Sequence, residues 1–291
     1  MVAVDMSRGR RVFRAVNGMI LTGVVLVTLY PFGNILARSF SGESYIRSGQ
    51  INLIPRGFNV KTYSYVASDP MFWTNYRNTV VYTVVATLIS MVLTTCYAYV
   101  LSKKHLRGRR ALIGIAIFTM VFSGGLIPNY VLINGLGMTD TIWAIVLPNA
   151  ISVFNLLIMK AFFENLPNEL EEAAAIDGLN TYGILLRIVM PLSKAVIATM
   201  TLFYAVSFWN SWFTAFLYMG KSELFPVTVY LRNLIAGATT ATSVGADATD
   251  LTVAANIQAV TIVLTVVPIL AVYPFVQRYF VSGVMLGAVK G

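Results

Sequence analysis

Five carboxylates crowd one short stretch of the 291-residue chain: Glu164, Glu169, Glu171, Glu172 and Asp177 lie within residues 164–191, ENLPNELEEAAAIDGLNTYGILLRIVMP. The whole chain has 12 acids and a net charge of +9, and no Lys or Arg falls between Lys160 and Arg187. Paired carboxylates suit acid–base work, metal binding or the docking of a basic partner. Metal binding lacks co-ligands, because the chain holds a single Cys, Cys96, and a single His, His105. The same scarcity removes a Cys/His catalytic pair and any internal disulfide. No G-x4-G-K-[ST] pattern occurs, so the chain binds no nucleotide by that route. We assign no catalytic residue, no metal site and no cofactor to this chain. The acids remain as a docking surface or as a solvated loop.

A second group of polar residues is uncharged and sits in apolar surroundings. It comprises Asn149, Ser152 and Asn155, then Tyr204, Ser207, Trp209, Asn210, Ser211, Trp212 and Thr214. Asn149, Ser152 and Asn155 are spaced i, i+3, i+6, which places them on one face if the segment is helical. Two readings stay open for this group. It forms hydrogen bonds between membrane helices, or it lines a path of hydrogen-bonding groups and rings, which suits sugars with their hydroxyl edges and apolar faces.

The elements that position these residues follow from hydropathy. The chain is 57% hydrophobic and 11% charged, against roughly 45–50% and 25% in soluble domains. Six apolar runs have the length that crosses a bilayer, about 20 residues: 15–37, 79–102, 111–132, 141–163, 194–219 and 255–277. Backbone groups in lipid must be satisfied internally, so the runs are expected to be helices. The fold class is therefore an all-α membrane protein with six spans. The basic residues that would suggest nucleic acid in a soluble protein lie in short clusters beside the spans. With the N-terminus inside, the inner segments hold 14 Lys and Arg and the outer segments seven, the loop KKHLRGRR (103–110) being the clearest cluster. The positive-inside rule then puts both termini in the cytoplasm. Residues 1–14 form a cytoplasmic N-terminus, 15–277 the transmembrane domain, and 278–291 a cytoplasmic tail. The outer loop 38–78 is rich in rings (Tyr63, Tyr65, Phe72, Trp73, Tyr76). They either mark an interfacial segment or face an outer partner. Residues 125–140 read as a short external turn with a half-helix.

No acid or base lies deep in any run. Ion-coupled carriers depend on such groups as relays, so the energy for transport comes from elsewhere, or no active transport occurs. The acidic stretch reads as a helix–turn–helix. Pro167 suits the first turn of a helix, Glu169, Glu171 and Glu172 lie near its positive end, and Gly178 suits its stop. Thr181 is expected to cap a second helix that runs to about Met190, before Pro191.

At this point the residues resemble a known family. EEAAAIDG followed by IVMP is similar to the EAA loop of ABC importer permeases, E-A-A-x3-G-x9-I-x-L-P. Glu172, Ala173, Ala174, Gly178, Ile188 and Pro191 fall at the matching places, and Met190 stands where the pattern has Leu. IPRGFNVKTYSYV, FWNSWF and the ending YFVSGVMLGAVKG resemble maltose-type carbohydrate permeases, in the branch that includes lipo-oligosaccharide and alginate importers. The resemblance runs from about residue 15 to the C-terminus. It implies a multi-pass protein of the bacterial inner membrane, a second homologous permease as partner, two ATP-binding subunits that carry ATP and Mg, and an extracytoplasmic solute-binding protein. It further implies that Glu171, Glu172, Ala173, Ala174, Asp177, Gly178, Ile188 and Pro191 couple to the ATPases. By the same resemblance, the tail residues Gly287, Val289, Lys290 and Gly291 reach between them. Asn149, Ser152, Asn155, Tyr204, Trp209, Asn210 and Trp212 remain candidates for the substrate path. The cargo reading is a carbohydrate, an oligosaccharide or polysaccharide that includes acidic chains such as alginate. Amino acids, peptides or other anions are the alternative cargo, and an ion-coupled carrier or a membrane enzyme are the alternative classes.

Overall fold

The computed structural model describes residues 8–243 and 256–271, and among them every regular element is helical. The chain divides into two compact units, Met1–Asp69 with Leu231–Val266, and Pro70–Tyr230 with Val267–Gly291. The tail residues Gly287, Val289, Lys290 and Gly291 lie outside the described residues.

In the first unit, Arg8–Ser39 is one 32-residue helix, apolar and exposed along the run from Val12 to Phe32. The loop that follows folds back on its end. Phe40 stacks between Phe58 and Tyr63 at 5.8 and 5.0 Å, and the Tyr63 hydroxyl donates to Ser39 Oγ at 2.8 Å. Asn34 Nδ2 donates to the carbonyls of Ile51 and Asn52. The rings Phe58 and Tyr63 thus have partners inside their own loop. The helix Asn256–Ala271 begins at Asn256, whose Nδ2 donates to the Ser41 carbonyl at 3.1 Å.

The second unit is organised on Pro70–Ser102, a 33-residue helix. Its only proline is at the first position and it contains no glycine. Ala86, Ser90, Thr94 and Ala98 recur every fourth residue and are each fully buried. Small residues at this spacing let helices approach closely, the main source of cohesion where lipid is as apolar as the side chains. Lys194–Trp209 and Val153–Glu164 pack on this helix. One core lies around Leu101, Leu156, Met159, Val189 and Met200. The other lies around Tyr82, Ile145, Val146, Phe208 and Val229.

Among the described residues two helices, Val12–Ser39 and Pro70–Ser102, are long and apolar enough to cross a bilayer unbroken. The other long runs depart from simple spans. The run expected at 111–132 is two helices, Arg109–Val121 and Leu126–Gly135, bent by 111°; Gly125 at φ +88° sits at the break. The run at 141–163 comprises Trp143–Val146 and Val153–Glu164, with non-helical backbone over 147–152. Pro148 accounts for this gap, since its ring clashes with the carbonyl four residues back and it has no N–H to donate. The run at 194–219 breaks after Trp209 and resumes at Trp212–Tyr218. Of the run at 255–277, the helix Asn256–Ala271 is described.

Candidate functional site

The acidic segment forms the helix Asn168–Ile176. Pro167 precedes it rather than opening its first turn: at φ −60°, ψ 123° it occupies the cap position. Gly178 has φ +82°. Its N–H donates to Ala175 O, and the Leu179 N–H donates to Ala174 O, both at 3.0 Å. This pair is the Schellman closure, in which a left-handed residue reverses the chain and satisfies the last carbonyls. A Cβ built on Gly178 meets nothing within 4 Å. Glycine is thus required here by backbone conformation and not by crowding among the described residues.

The second helix starts one residue earlier than expected. Asn180 is its cap, with Oδ1 accepting from the Gly183 N–H at 2.8 Å; Thr181 is the first helical residue. The helix also continues past Met190. Thr181–Ile184 leads into a π-helical turn, Leu185–Val189, and then Met190–Leu192, which includes Pro191. The wider turn makes room for the proline ring, which would otherwise strike the carbonyl four residues back. Ile188 and Met190 pack against the core around Leu101 and Met159. The second half of the EAA-like motif therefore anchors the segment, while the first half stands outward. Glu172, Ala173, Asp177 and Gly178 are exposed, and Ile176 is 87% exposed. Ala174 faces inward at 5%.

The five acids separate into two classes. Glu164 pairs with Arg109 and with Lys160. Glu171 pairs with Lys103 and accepts from the Tyr99 hydroxyl at 3.1 Å. Among the described residues Glu169, Glu172 and Asp177 make no ion pair. Glu171, expected with the coupling group, is thus held within its own chain. Lys103 and Arg109 come from the KKHLRGRR loop, a contact the sequence reading missed; Lys160 is the i, i+4 neighbour of Glu164 on its own helix. These pairs also bring the loops at 103–110 and 164–171 to one end of the unit. At the other end, Asn78 and Tyr82 donate to carbonyls of Glu223, Phe225 and Leu224, and Asp140 Oδ1 accepts from the Gly220 N–H.

The uncharged polar group assembles only in part. Asn149, Ser152, Asn155 and Tyr204 line one cavity of about 360 Å³, together with Phe154, Phe203, Ser207 and Phe208. Asn149 and Ser152 reach it from non-helical backbone, not from a shared helix face. Ser152 caps Val153–Glu164, its side chain accepting from the Asn155 N–H. The Ser152 N–H, freed by the break at Pro148, donates to the Tyr204 hydroxyl at 2.9 Å. Tyr204 shares a second bond, of 2.6 Å, with Thr94 Oγ1. Tyr204 thus satisfies an orphan backbone donor within an apolar segment, where an unpaired N–H is costly. Trp209 lies elsewhere, in a smaller cavity of about 160 Å³ with Thr83 and Pro268, edge-on to Tyr76. Asn210 ends its helix by donating to Val206 O at 2.8 Å. Trp212 packs on Phe213 and Phe216.

A chain that sets an exposed acidic helix on a helical bundle has known relatives. Residues 71–286 match the family described as binding-protein-dependent transport system inner membrane component. The chain belongs to this family. It is 42% identical over 286 residues to Protein LplC of Bacillus subtilis (strain 168), covering 98% of this chain and 97% of that one. It is 40% identical over 271 residues to the polygalacturonan/rhamnogalacturonan transport system permease protein YtcP of the same organism, covering 91% and 94%. Among solved structures, a chain of a bacterial ABC transporter involved in the import of the acidic polysaccharide alginate superposes with a TM-score of 0.86. That chain is 36% identical, and the match covers 94% of this chain and 99% of that one. The protein is an inner-membrane permease component of an ABC importer and not an enzyme.

Proposed function

We propose that this permease carries an oligosaccharide or polysaccharide, acidic chains included, from a solute-binding protein to the cytoplasm. In this reading it forms half of a translocation path with a second permease, and two ATPase subunits drive it. The observation that carries the coupling part is the exposed face of the Asn168–Ile176 helix and its turn. Glu172, Ala173, Asp177 and Gly178 present two carboxylates that make no ion pair among the described residues. An exposed helix end with carboxylates, small residues and the protruding Ile176 suits insertion into a basic-rimmed cleft. The cargo part is supported by the relatives, whose names refer to polygalacturonan, rhamnogalacturonan and alginate. The Tyr204 cavity fits that cargo class in kind, with amide and hydroxyl groups set among rings.

In the proposed topology six spans place both termini in the cytoplasm, with 1–14 and 278–291 as cytoplasmic ends and 15–277 as the transmembrane domain. The bent pair Arg109–Val121 and Leu126–Gly135 counts as one span. The 103–110 and 164–171 loops share one end of the bundle, as two cytoplasmic loops must. ATP and Mg are held by the partner subunits, and this chain supplies no cofactor site.

Reconstitution tests the proposal. Proteoliposomes that hold both permeases, the ATPases and the binding protein are expected to take up labelled oligogalacturonate or oligoalginate only with ATP. Uptake by this chain alone under an ion gradient would contradict the reading.

A further inference from the structure

The runs at 111–132, 141–163 and 194–219 are each interrupted, while Pro70–Ser102 is not. At about 1.5 Å per residue it extends about 50 Å, with no glycine or proline after its first position. It is fastened at both ends. At the outer end, Asn78 Nδ2 donates to Glu223 O at 2.7 Å and to Phe225 O at 3.2 Å. One turn on, the Tyr82 hydroxyl donates to Leu224 O at 2.9 Å, and Thr79 Oγ1 accepts from the Val227 N–H at 2.7 Å. The turn at 223–227 is thus tied to the helix by four hydrogen bonds.

At the inner end, the Asn168–Ile176 helix buries little of its own surface, Ala174 being its one buried residue. Its polar attachment is Glu171, which takes the Tyr99 hydroxyl and the Lys103 ammonium together. Lys103 lies 4.1 Å above the Tyr99 ring, and Tyr99 is buried edge-on against Phe163. The side chains of Lys103 and Glu171 are only 24% and 19% exposed, so water screens the pair less than a surface pair. Arg109 reinforces the same corner, donating through Nε to Leu101 O while it pairs with Glu164.

We propose that Pro70–Ser102 is a strut joining the coupling helix to the outer 223–227 turn, and that Tyr99 and Lys103 are positioning residues which fasten its inner end through Glu171. An unbroken helix held at both ends passes displacement on, whereas the broken runs absorb it at their hinges. Movement imposed on the coupling helix is then delivered to the outer face, and docking at the outer face is felt by the ATPases. The inference rests on the permease reading above.

Charge exchange in the assembled importer tests it. The readout is the ratio of ATPase activity with loaded binding protein to activity without it, on complexes shown by co-purification to be complete. Lys103→Glu and Glu171→Lys are each expected to lower the ratio about fivefold, and the double variant to restore it. Tyr99→Phe, which keeps the ring and removes one hydrogen bond, is expected to lower it about twofold. Single variants that assemble fully with a native ratio overturn the strut, as does a double variant no better than either single. Failure of the coupling reading itself looks different: Glu172→Lys and Gly178→Trp would then leave ATP-driven uptake unchanged.

Discussion

The coupling segment and the Tyr204 cavity are built in opposite ways. The segment is specified locally: Gly178 sets the turn, Asn180 caps the next helix, and Ile188 and Met190 pin the end, all within 13 residues. The cavity is assembled from distant parts of the chain. Ser152 meets Tyr204 across 52 positions and Thr94 meets it across 110. The first presents Glu172 and Asp177 to the outside with no ion pair among the described residues, whereas the second ties Ser152, Tyr204 and Thr94 to one another. A surface that serves a partner needs conformation and exposure. A site within a membrane needs every backbone group satisfied before any is offered to cargo.

Substitutions at the two regions are expected to fail differently. A Cβ at Gly178 meets nothing within 4 Å among the described residues, so a loss for Gly178→Trp beyond that of a residue with the same backbone strain reports a partner. ATP-driven uptake should fall about 100-fold with permease levels kept, while Gly178→Asn, which tolerates a left-handed backbone, should keep most of it. Equal losses for the two would reduce the residue to a fold role. Tyr204→Phe strips the partner from the Ser152 N–H. We expect a cost of about 1–3 kcal/mol, read as a lowered Tm of the purified complex, and an unchanged Tm would show that Ser152 finds another acceptor. Asn149→Leu should raise the KM for uptake about tenfold and leave basal ATPase activity as it was; a fall in both would move Asn149 from cargo to structure. The smallest effect is expected at Asn180→Ala. Loss of the cap costs about 1 kcal/mol, visible as faster hydrogen exchange over 181–184 with uptake nearly intact.

The same contrast explains what could be read from residues alone. The helix–turn–helix at 164–191 was legible because its signals are short-range: a proline before the helix, a glycine after it, carboxylates near its start. Even there the cap fell to Asn180 in place of Thr181, since both types cap well and only geometry chooses. The break at Gly125 was legible in part, since its Gly and Pro mark 125–140 as a turn with a half-helix. The gaps after Val146 and Trp209 were not, because hydropathy counts apolar residues and is blind to where the backbone leaves the helix. For the same reason, Asn149, Ser152 and Asn155 came together by a break and a cap, and Trp209, Asn210 and Trp212 fell elsewhere. The pairing of Glu164 and Glu171 with Arg109 and Lys103 was hidden too, because charges 55 and 68 residues apart carry no mark of their meeting.

Ala173 and Ala174 are adjacent and chemically identical, yet the first is exposed and the second is buried. That difference gives the most direct test of the claim that energy enters at this segment. Cysteine is placed at each position in turn, with the exposed Cys96 replaced by serine, and the assembled importer is treated with a short thiol cross-linker to a cysteine on the ATPase. Ala173→Cys is predicted to form a permease–ATPase adduct that depends on complex assembly, and Ala174→Cys to form none. An assembled, transporting complex in which neither position cross-links, or in which both do so equally, would contradict the account.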